Sequence, residues 1–494
     1  MDIRRNIHKF SKSDRLRPTT YALAAGFYPL IHYYNTNFLM VNSWPQLMWF
    51  LIVFIILPII VFYIASFLVK RFSILKSYKG HIFTGLNIFV FSNLLLFVTY
   101  GLTKKHLLIM GLLALLLMFV LHKYYKKLIL IQFLMTLVTL VLFLPKLFSY
   151  YNYSNDWMLL PDTIDKVVLK ETPNIYVIQP DGYTNFNELE KAPYNYDNSE
   201  FKRYLESNEF TIYDNNRSNY FSTLTSNASM FAMKHHYYMK SVGANETQYD
   251  YRKGLAGDNN TVKILKNNGY KTFMLLGFPY IIINRPKKEI DVINYDYSSM
   301  SYIGNKWKGK FPLDTLEYLM TKNKTTHNFF FIEKILPTHI ENLKSKSRGV
   351  EGERKAYLER LEESNNWLKQ VIETITSNDK EGIIVLVSDH GGYVGLESAE
   401  DVYSKLENSA LKKSVFSSLL AIKWSNNGAP KFDDQLKSNV NLFRVLFAHL
   451  SQNETYLQYL EDDKSYITIK KKAPKGVYEY IDNSGQPAFN KLSN

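Results

Sequence analysis

The stretch IIVLVSDHGG, residues 383–392, decides the fold. Five consecutive apolar, mostly β-branched residues read as a strand buried on both faces, the form strands take inside a parallel sheet. The run then breaks into Ser388, Asp389, His390 and two glycines. Chemistry-bearing side chains therefore stand at the strand's carboxyl end, where open α/β sheets bind their ligands. Working outward, NIYVIQPDG (174–182) has the same plan, an apolar run followed by Pro180, Asp181 and Gly182. Segments 271–276 (KTFMLL), 329–336 (FFFIEKIL) and 419–424 (LLAIKW) share the texture. Helical patterns lie between them; Leu361, Leu368, Val371, Ile372 and Ile375 recur at helical spacing. Strands alternating with helices predict an α/β/α sandwich around a mainly parallel sheet, over residues 173–455.

The first 150 residues obey different rules. Apolar runs at 48–69, 82–100, 107–121 and 128–144 have the length or flanks to cross a bilayer. A weaker fifth, 21–41, contains His32, Asn35 and Asn37, read as glue between helices rather than as part of a lipid path. This region holds sixteen Lys or Arg against only Asp2 and Asp14, so the whole formal charge of +14 resides here. A basic balance confined to the apolar third argues against a nucleic-acid partner, which would need a basic face on the soluble part. If all five segments cross, thirteen of the sixteen bases share one side. The positive-inside rule then predicts a membrane domain (1–150) of about five transmembrane helices, a cytoplasmic N-terminus and an extracytoplasmic soluble domain. The opening residues, basic and polar for too long, do not resemble a cleaved signal peptide. Residues 151–172 read as a juxtamembrane connector with a short helix lying on the membrane, and 456–494 as a C-terminal extension. The chain has no cysteine, which excludes disulfides, zinc-thiolate centres and a thiol nucleophile.

Asp389 and His390 together offer a carboxylate oxygen and an imidazole nitrogen, and Asp181 a second carboxylate from another strand end. That set suits zinc or manganese. Segment 218–231, SNYFSTLTSNASMF, is crowded with hydroxyl groups ahead of a helix expected over 230–239. Thr223, Thr225 or Ser226 near a helix N-terminus would have its alkoxide favoured by the dipole, although Ser and Thr also cap helices without any chemistry. His235-His236 is read as structural, since neighbours on a helix point in different directions.

The ordered set (strand–Asp181-Gly182, then Asn219-Tyr220-x-Ser222-Thr223-x-x-Ser226-x-x-x-Met230-Phe231, then Ser388-Asp389-His390-Gly391) resembles the alkaline phosphatase/sulfatase superfamily. It is most similar to the membrane branch, the lipoteichoic acid synthases and lipid A phosphoethanolamine transferases. Residues 438–444 (SNVNLFR) resemble a segment near the end of such catalytic domains. The resemblance implies an alkaline phosphatase-like fold. It selects Thr223 as nucleophile and as metal ligand, beside Asp181, Asp389 and His390, and makes His339 a substrate-binding residue. The two named families carry Glu followed by Ser or Thr where this chain has Asp181-Gly182. Nothing near Thr223 supplies the Cys/Ser-x-Pro-x-Arg context of a formylglycine sulfatase.

The expected activity is an extracytoplasmic, metal-dependent phosphotransfer through a phospho-threonine. It would move a head group from a membrane lipid donor to a surface glycan, lipid or polymer. The competing expectations are a phosphodiesterase, phosphatase or sulfatase-like hydrolase, and, from a different class, a non-catalytic membrane scaffold.

Overall fold

The computed structural model describes residues 17–240, 249–303, 313–425 and 428–492. Most of the basic N-terminal segment on which the topology argument draws, Arg4 to Arg15, lies outside them. The described residues divide into two compact units, one reaching Tyr153 and including 301–303, the other holding the rest.

The first unit is helical. Its long elements are α1 (Pro18–Val41), α2 (Trp44–Arg71), α3 (Lys79–Tyr100), α4 (Lys104–Leu121) and α5 (Tyr125–Tyr151). Among the described residues, three helical stretches are long and apolar enough to cross a membrane: Trp44–Arg71, Lys79–Tyr100 and Lys104–Met158. A 3-10 turn at His122–Tyr124 divides the third into α4 and α5. Within α2 the chain widens into a π turn at Ile52–Ile56, just ahead of Pro58. Proline has no N–H for the Phe54 carbonyl, and Gly26 of α1 leaves room for that carbonyl to approach. Asn87 donates to the Tyr21 carbonyl at 3.0 Å and receives from Gln132 at 2.9 Å, joining α1, α3 and α5. Asn37 instead turns back onto the Tyr33 carbonyl of its own helix.

In the second unit the strands are β1 (Ile175–Pro180), β2 (Thr211–Ile212), β3 (Tyr270–Leu276), β4 (Val292–Ile293), β5 (His327–Lys334), β6 (Ile383–Val387) and β7 (Leu420–Lys423). They form one sheet in the order β2-β7-β6-β1-β5-β3-β4. The core pairs β1–β5, β1–β6, β3–β5 and β3–β4 are parallel, while β7 and β2 are added antiparallel at one edge. The mainly parallel α/β/α sandwich is the expected class.

Strict alternation along the strands sorts the side chains onto two faces. Tyr176, Ile178, Phe330, Ile332, Ile384 and Leu386 meet α7 (Gly349–Asn378) through Leu361, Leu368, Val371 and Ile372. The opposite face carries Val177, Phe331, Val385 and Val387, covered by α6 (Thr223–Ala232) and α8 (Leu442–Ser451). The helix expected over 230–239 is thus displaced. It starts at Thr223, and Met233, in the left-handed conformation at φ 54°, ends it.

The connector also differs from expectation. It contains short 3-10 turns at Asp156–Met158 and Ile164–Lys166, not a helix on a membrane surface. Its apolar residues Ile164, Val167 and Leu169 have a better burial site in the α6-side core, and Asp162 pairs with the buried Arg444 of α8 at 2.6 Å. At the other end, β8 (Ser465–Ile469), β9 (Gly476–Ile481) and β10 (Pro487–Lys491) make a small antiparallel sheet. Tyr466, Ile467, Tyr480 and Ile481 from it join the core on the α7 side.

Candidate active site

Each strand end delivers its acid because β1 and β6 are paired neighbours. Asp181 follows β1 directly and Asp389 follows β6 by one residue, so both emerge at the carboxyl edge. Gly182 closes the gap between them. Its N–H donates to Asp389 Oδ1 at 3.0 Å, and its φ of +69° is one that L side chains rarely adopt. A Cβ at that position would also fall 2.8 Å from the Thr338 backbone.

Asp181, Asp389 and His390 are all buried, with one ligand atom of each within 4.8 Å of the others. His390 Nε2 is 3.3 Å from Asp389 Oδ2 and 3.7 Å from Asp181 Oδ1. Its Nδ1 lies 2.9 Å from the Gly391 carbonyl, which assigns the proton to Nδ1 and leaves the Nε2 lone pair toward the carboxylates. Thr223 completes the group, donating from Oγ1 to Asp181 Oδ1 at 3.0 Å. It is the first residue of α6, with Ser222 extended before it, where the first-turn N–H groups have no partner within the helix.

Burial and charge divide the protons unequally. Burial pushes Asp181 upward, but the His390 and His339 imidazoles outweigh it and hold the carboxyl below its usual range. Burial and the adjacent Asp181 push Asp389 well above the ordinary range. Burial lowers both His390 and His339, keeping them neutral. The resulting set is two carboxylates sharing a proton, a neutral imidazole with its lone pair inward, and a hydroxyl. Asp389 Oδ2 is buried without a hydrogen-bond partner among the described residues. An orphaned carboxylate oxygen facing an imidazole lone pair fits a divalent cation of the zinc or manganese kind.

His339 arrives by a different route. It follows β5 through the loop of Pro337 and Thr338, and Arg360 of α7 pins that loop by donating to the Pro337 carbonyl at 2.6 Å and to the His339 carbonyl at 3.2 Å. The His339 ring lies 5.7 Å from that of His390 and stacks on Tyr393 at 5.0 Å. His235 and His236 stay apart from this group. His235 bonds the Asp462 carbonyl, while His236 stacks on Tyr220 at 3.7 Å and is pushed down to about 3 by burial.

Two features escaped the sequence reading. Tyr393 is held at φ +62° directly after the glycine pair, its ring against both His339 and His390 and its hydroxyl donating to the Phe221 carbonyl two residues before Thr223. The other is Glu333, completely buried in β5, with neither carboxylate oxygen partnered among the described residues. Burial, then the charges of Asp181 and Asp389, push it well above the carboxylate range. Its register partner Gln179 is equally buried and unpartnered.

Helix α6 runs over these residues in step with β1 and β5. Thr223 touches Asp181 at one end, and Phe231 packs on Phe331, two residues before Glu333, at 5.2 Å. Eight helical residues rise about 12 Å, and the matching four strand residues about 13 Å. Asn227, halfway along, falls at the level of Gln179 and Glu333, and both its side-chain polar atoms are unpartnered too. An acid inside an otherwise apolar strand was the available signal, in FFFIEK (329–334).

The sulfatase family profile matches residues 192–452. No curated protein sequence matches. Among solved structures, the C-terminal periplasmic domain of EcEptC from Escherichia coli is similar, at 14% identity and a TM-score of 0.42, covering 65% of this chain and 97% of that one. The integral membrane lipooligosaccharide phosphoethanolamine transferase EptA from Neisseria meningitidis aligns at 11% identity and a TM-score of 0.41, covering 88% of this chain and 96% of that one. Asp181 precedes the profile match, whereas α6, the His339 loop and the β6 strand end all lie within it. Since that match takes in more than half of the sequence, the chain belongs to the sulfatase family.

Proposed function

We propose that this chain is a membrane-anchored, metal-dependent phosphotransferase with Thr223 as its nucleophile. The observation that carries the reading is Thr223 Oγ1 at the start of α6, 3.0 Å from Asp181 Oδ1 and beside the Asp389-His390 pair. Asp181, Thr223, Asp389 and His390 would hold a zinc or manganese ion. Such an ion supplies Lewis-acid charge and lowers the pKa of a bound hydroxyl.

The Thr223 proton leaves along the hydrogen bond to Asp181. Oγ1 then attacks the donor phosphorus, forming a P–O bond as the bond to the leaving alcohol breaks, and the departing oxygen takes a proton from solvent. An acceptor hydroxyl next attacks the same phosphorus and gives its proton to solvent, the bond to Thr223 breaks, and Asp181 returns its proton to Oγ1, regenerating the threonine. His339 and the first-turn N–H groups of α6 face the phosphoryl oxygens and orient them.

The donor is a membrane phospholipid and the acceptor a surface glycan, lipid or polymer. Apolar helices in the same chain keep the domain at the bilayer and raise the effective concentration of a lipid-borne donor. The concentration of basic residues in 1–150 supports five spans with the catalytic domain outside the cytoplasm. Mass spectrometry of surface lipids and glycans tests this in cells lacking the protein, complemented by the wild type or by Thr223→Ala. One phospho-substituted species is expected to vanish and to return only with the wild type. Full restoration by Thr223→Ala would sink the reading, and a released head group without any modified acceptor would make water the acceptor.

A further inference from the structure

A second cleft opens at the carboxyl edge of the sheet, on the β2/β7 side. It encloses roughly 710 Å³, within the range of small-ligand sites. The segment leaving β2 and the segment entering β7 meet there, Arg217 bridging to Ser417 and to Ser438. The floor is apolar, with Phe416 and Ile481, whereas the walls carry the amides of Asn185, Asn187, Asn216 and Asn483.

Its lining carries charges of both signs. Glu188 and Asp214 are occupied by Lys191 and Lys202, at 3.2 and 2.7 Å, leaving Asp434 as the acid on the rim. Arg217, Lys413 and Lys437 line the same space, and none has a carboxylate within ion-pair distance among the described residues. Arg217 is buried, and it donates to the backbone carbonyls of Asp463 and Asn483, at 2.6 and 2.8 Å. The carboxylates of Asp463 and Asp482 also act on its charge, so Lys413 and Lys437 are the cations that the cleft offers to an anion. Asn216 is 1% exposed and its Oδ1 has no partner among the described residues, although its Nδ2 bonds Ser418 and Asn439.

This cleft connects directly to the catalytic strand end. Asn216 Nδ2 donates to Asn439 Oδ1 at 2.9 Å, and Asn439 Nδ2 donates to the Ser388 carbonyl at 2.8 Å, one residue before Asp389. Amide donors and acceptors above an apolar floor suit the hydroxyls and ring faces of a sugar. Lys413 and Lys437 suit an anionic substituent on it. We propose that the cleft is an acceptor subsite for a polyhydroxylated chain bearing anionic groups, of the sugar-phosphate type. This rests on the transferase reading given above for its role, though not for its existence as a binding site.

The test uses the full-length, metal-loaded protein in detergent, with fluorescent phosphorylated maltoheptaose and plain maltoheptaose as probes. The phosphorylated chain is expected to bind at least about tenfold more tightly, with an advantage that shrinks as salt rises. Lys413→Ser combined with Lys437→Ser should remove that preference. Cleavage of a small chromogenic phosphodiester at the catalytic centre should be unchanged, which also shows that the variant is folded. Equal binding of the two probes, or a double variant that binds as the wild type does, overturns the proposal. Phosphate-selective binding by a protein that transfers no head group to any acceptor would keep the subsite and sink the transferase reading, so the two failures are distinct.

Discussion

The two faces of the central sheet are built to different rules. Beneath α7 the packing is mainly apolar, with Leu361, Leu368, Val371 and Ile372 closing on Tyr176, Ile178, Phe330 and Leu386, and the helix's buried Glu353, Ser364 and Asn365 are hydrogen-bonded. Beneath α6 the packing begins the same way, with Phe231 on Phe331. Toward the carboxyl edge it then changes to Gln179, Glu333, Asn227, Asp181 and Asp389, several of them with buried polar atoms left unpartnered. An unpartnered buried polar group costs stability. One sheet therefore carries a face made for folding and a face whose upper half accepts that cost for chemistry.

The sharpest way to break this contrast is Thr223→Ala. It should reduce turnover about a thousandfold or more with little change in the unfolding midpoint, as followed by transfer assay and calorimetry. Next comes Asp389→Asn, which removes a carboxylate of the proposed ligand set from the α6 face. Zinc affinity, measured by competition with a chelator, should fall about a hundredfold or more. On the other face, Leu368→Ala should cost ~2–5 kcal/mol of stability, while the protein that remains folded keeps its zinc and its specific activity. Equal effects of these variants on zinc binding would erase the distinction between the faces.

The pH dependence sharpens it further. Burial raises both Asp389 and Glu333, so the metal-free folded protein retains protons that the unfolded chain releases above about pH 4. For acids raised in this way, the folded state is favoured at low pH and loses stability as pH rises through and above that value. Against this, burial lowers the imidazoles of His235, His236, His339 and His390, which add stability as pH rises toward about 6.5. The two trends therefore offset each other in the midpoint of metal-stripped protein, while the upward shift on adding zinc should grow from about pH 4 toward pH 7. Glu333→Gln should have the smallest effect. Burial already holds that carboxyl neutral, so the amide replaces like with like and zinc affinity should stay close to wild type, while the loss of stability that Glu333 contributes above about pH 4 should disappear.

How much of this is legible in the sequence follows the same division. The apolar strands, the Asp389-His390 strand end and Asp181 all announce themselves, because a both-faces-buried strand has no other pattern and its end must carry the polar residues. Thr223 was not separable from Thr225 and Ser226 by composition. All three are hydroxyls near a helix start, and only the motif spacing distinguished them. The start of α6 is hard to place from sequence because no Asp or Pro marks it, and Ser222 is one hydroxyl among several. Glu333 and Gln179 were hidden because a single polar residue in a strand has no periodic signature. Only the β1–β5 register puts the two side by side. Tyr393 is invisible for a related reason, since nothing in GGYVG (391–395) announces a non-glycine residue at positive φ. The connector's place in the core depended on Arg444, 282 residues away from Asp162.

The central claim is that Thr223 itself takes the phosphoryl group. Protein quenched with acid during turnover of a phospholipid donor, then digested and mapped by mass spectrometry, tests it most directly. The account predicts a phosphorylated adduct on Thr223 that is absent from Thr223→Ala and from metal-stripped protein. Continued turnover with the adduct on Thr225 or Ser226, or with no covalent adduct at all, would contradict it.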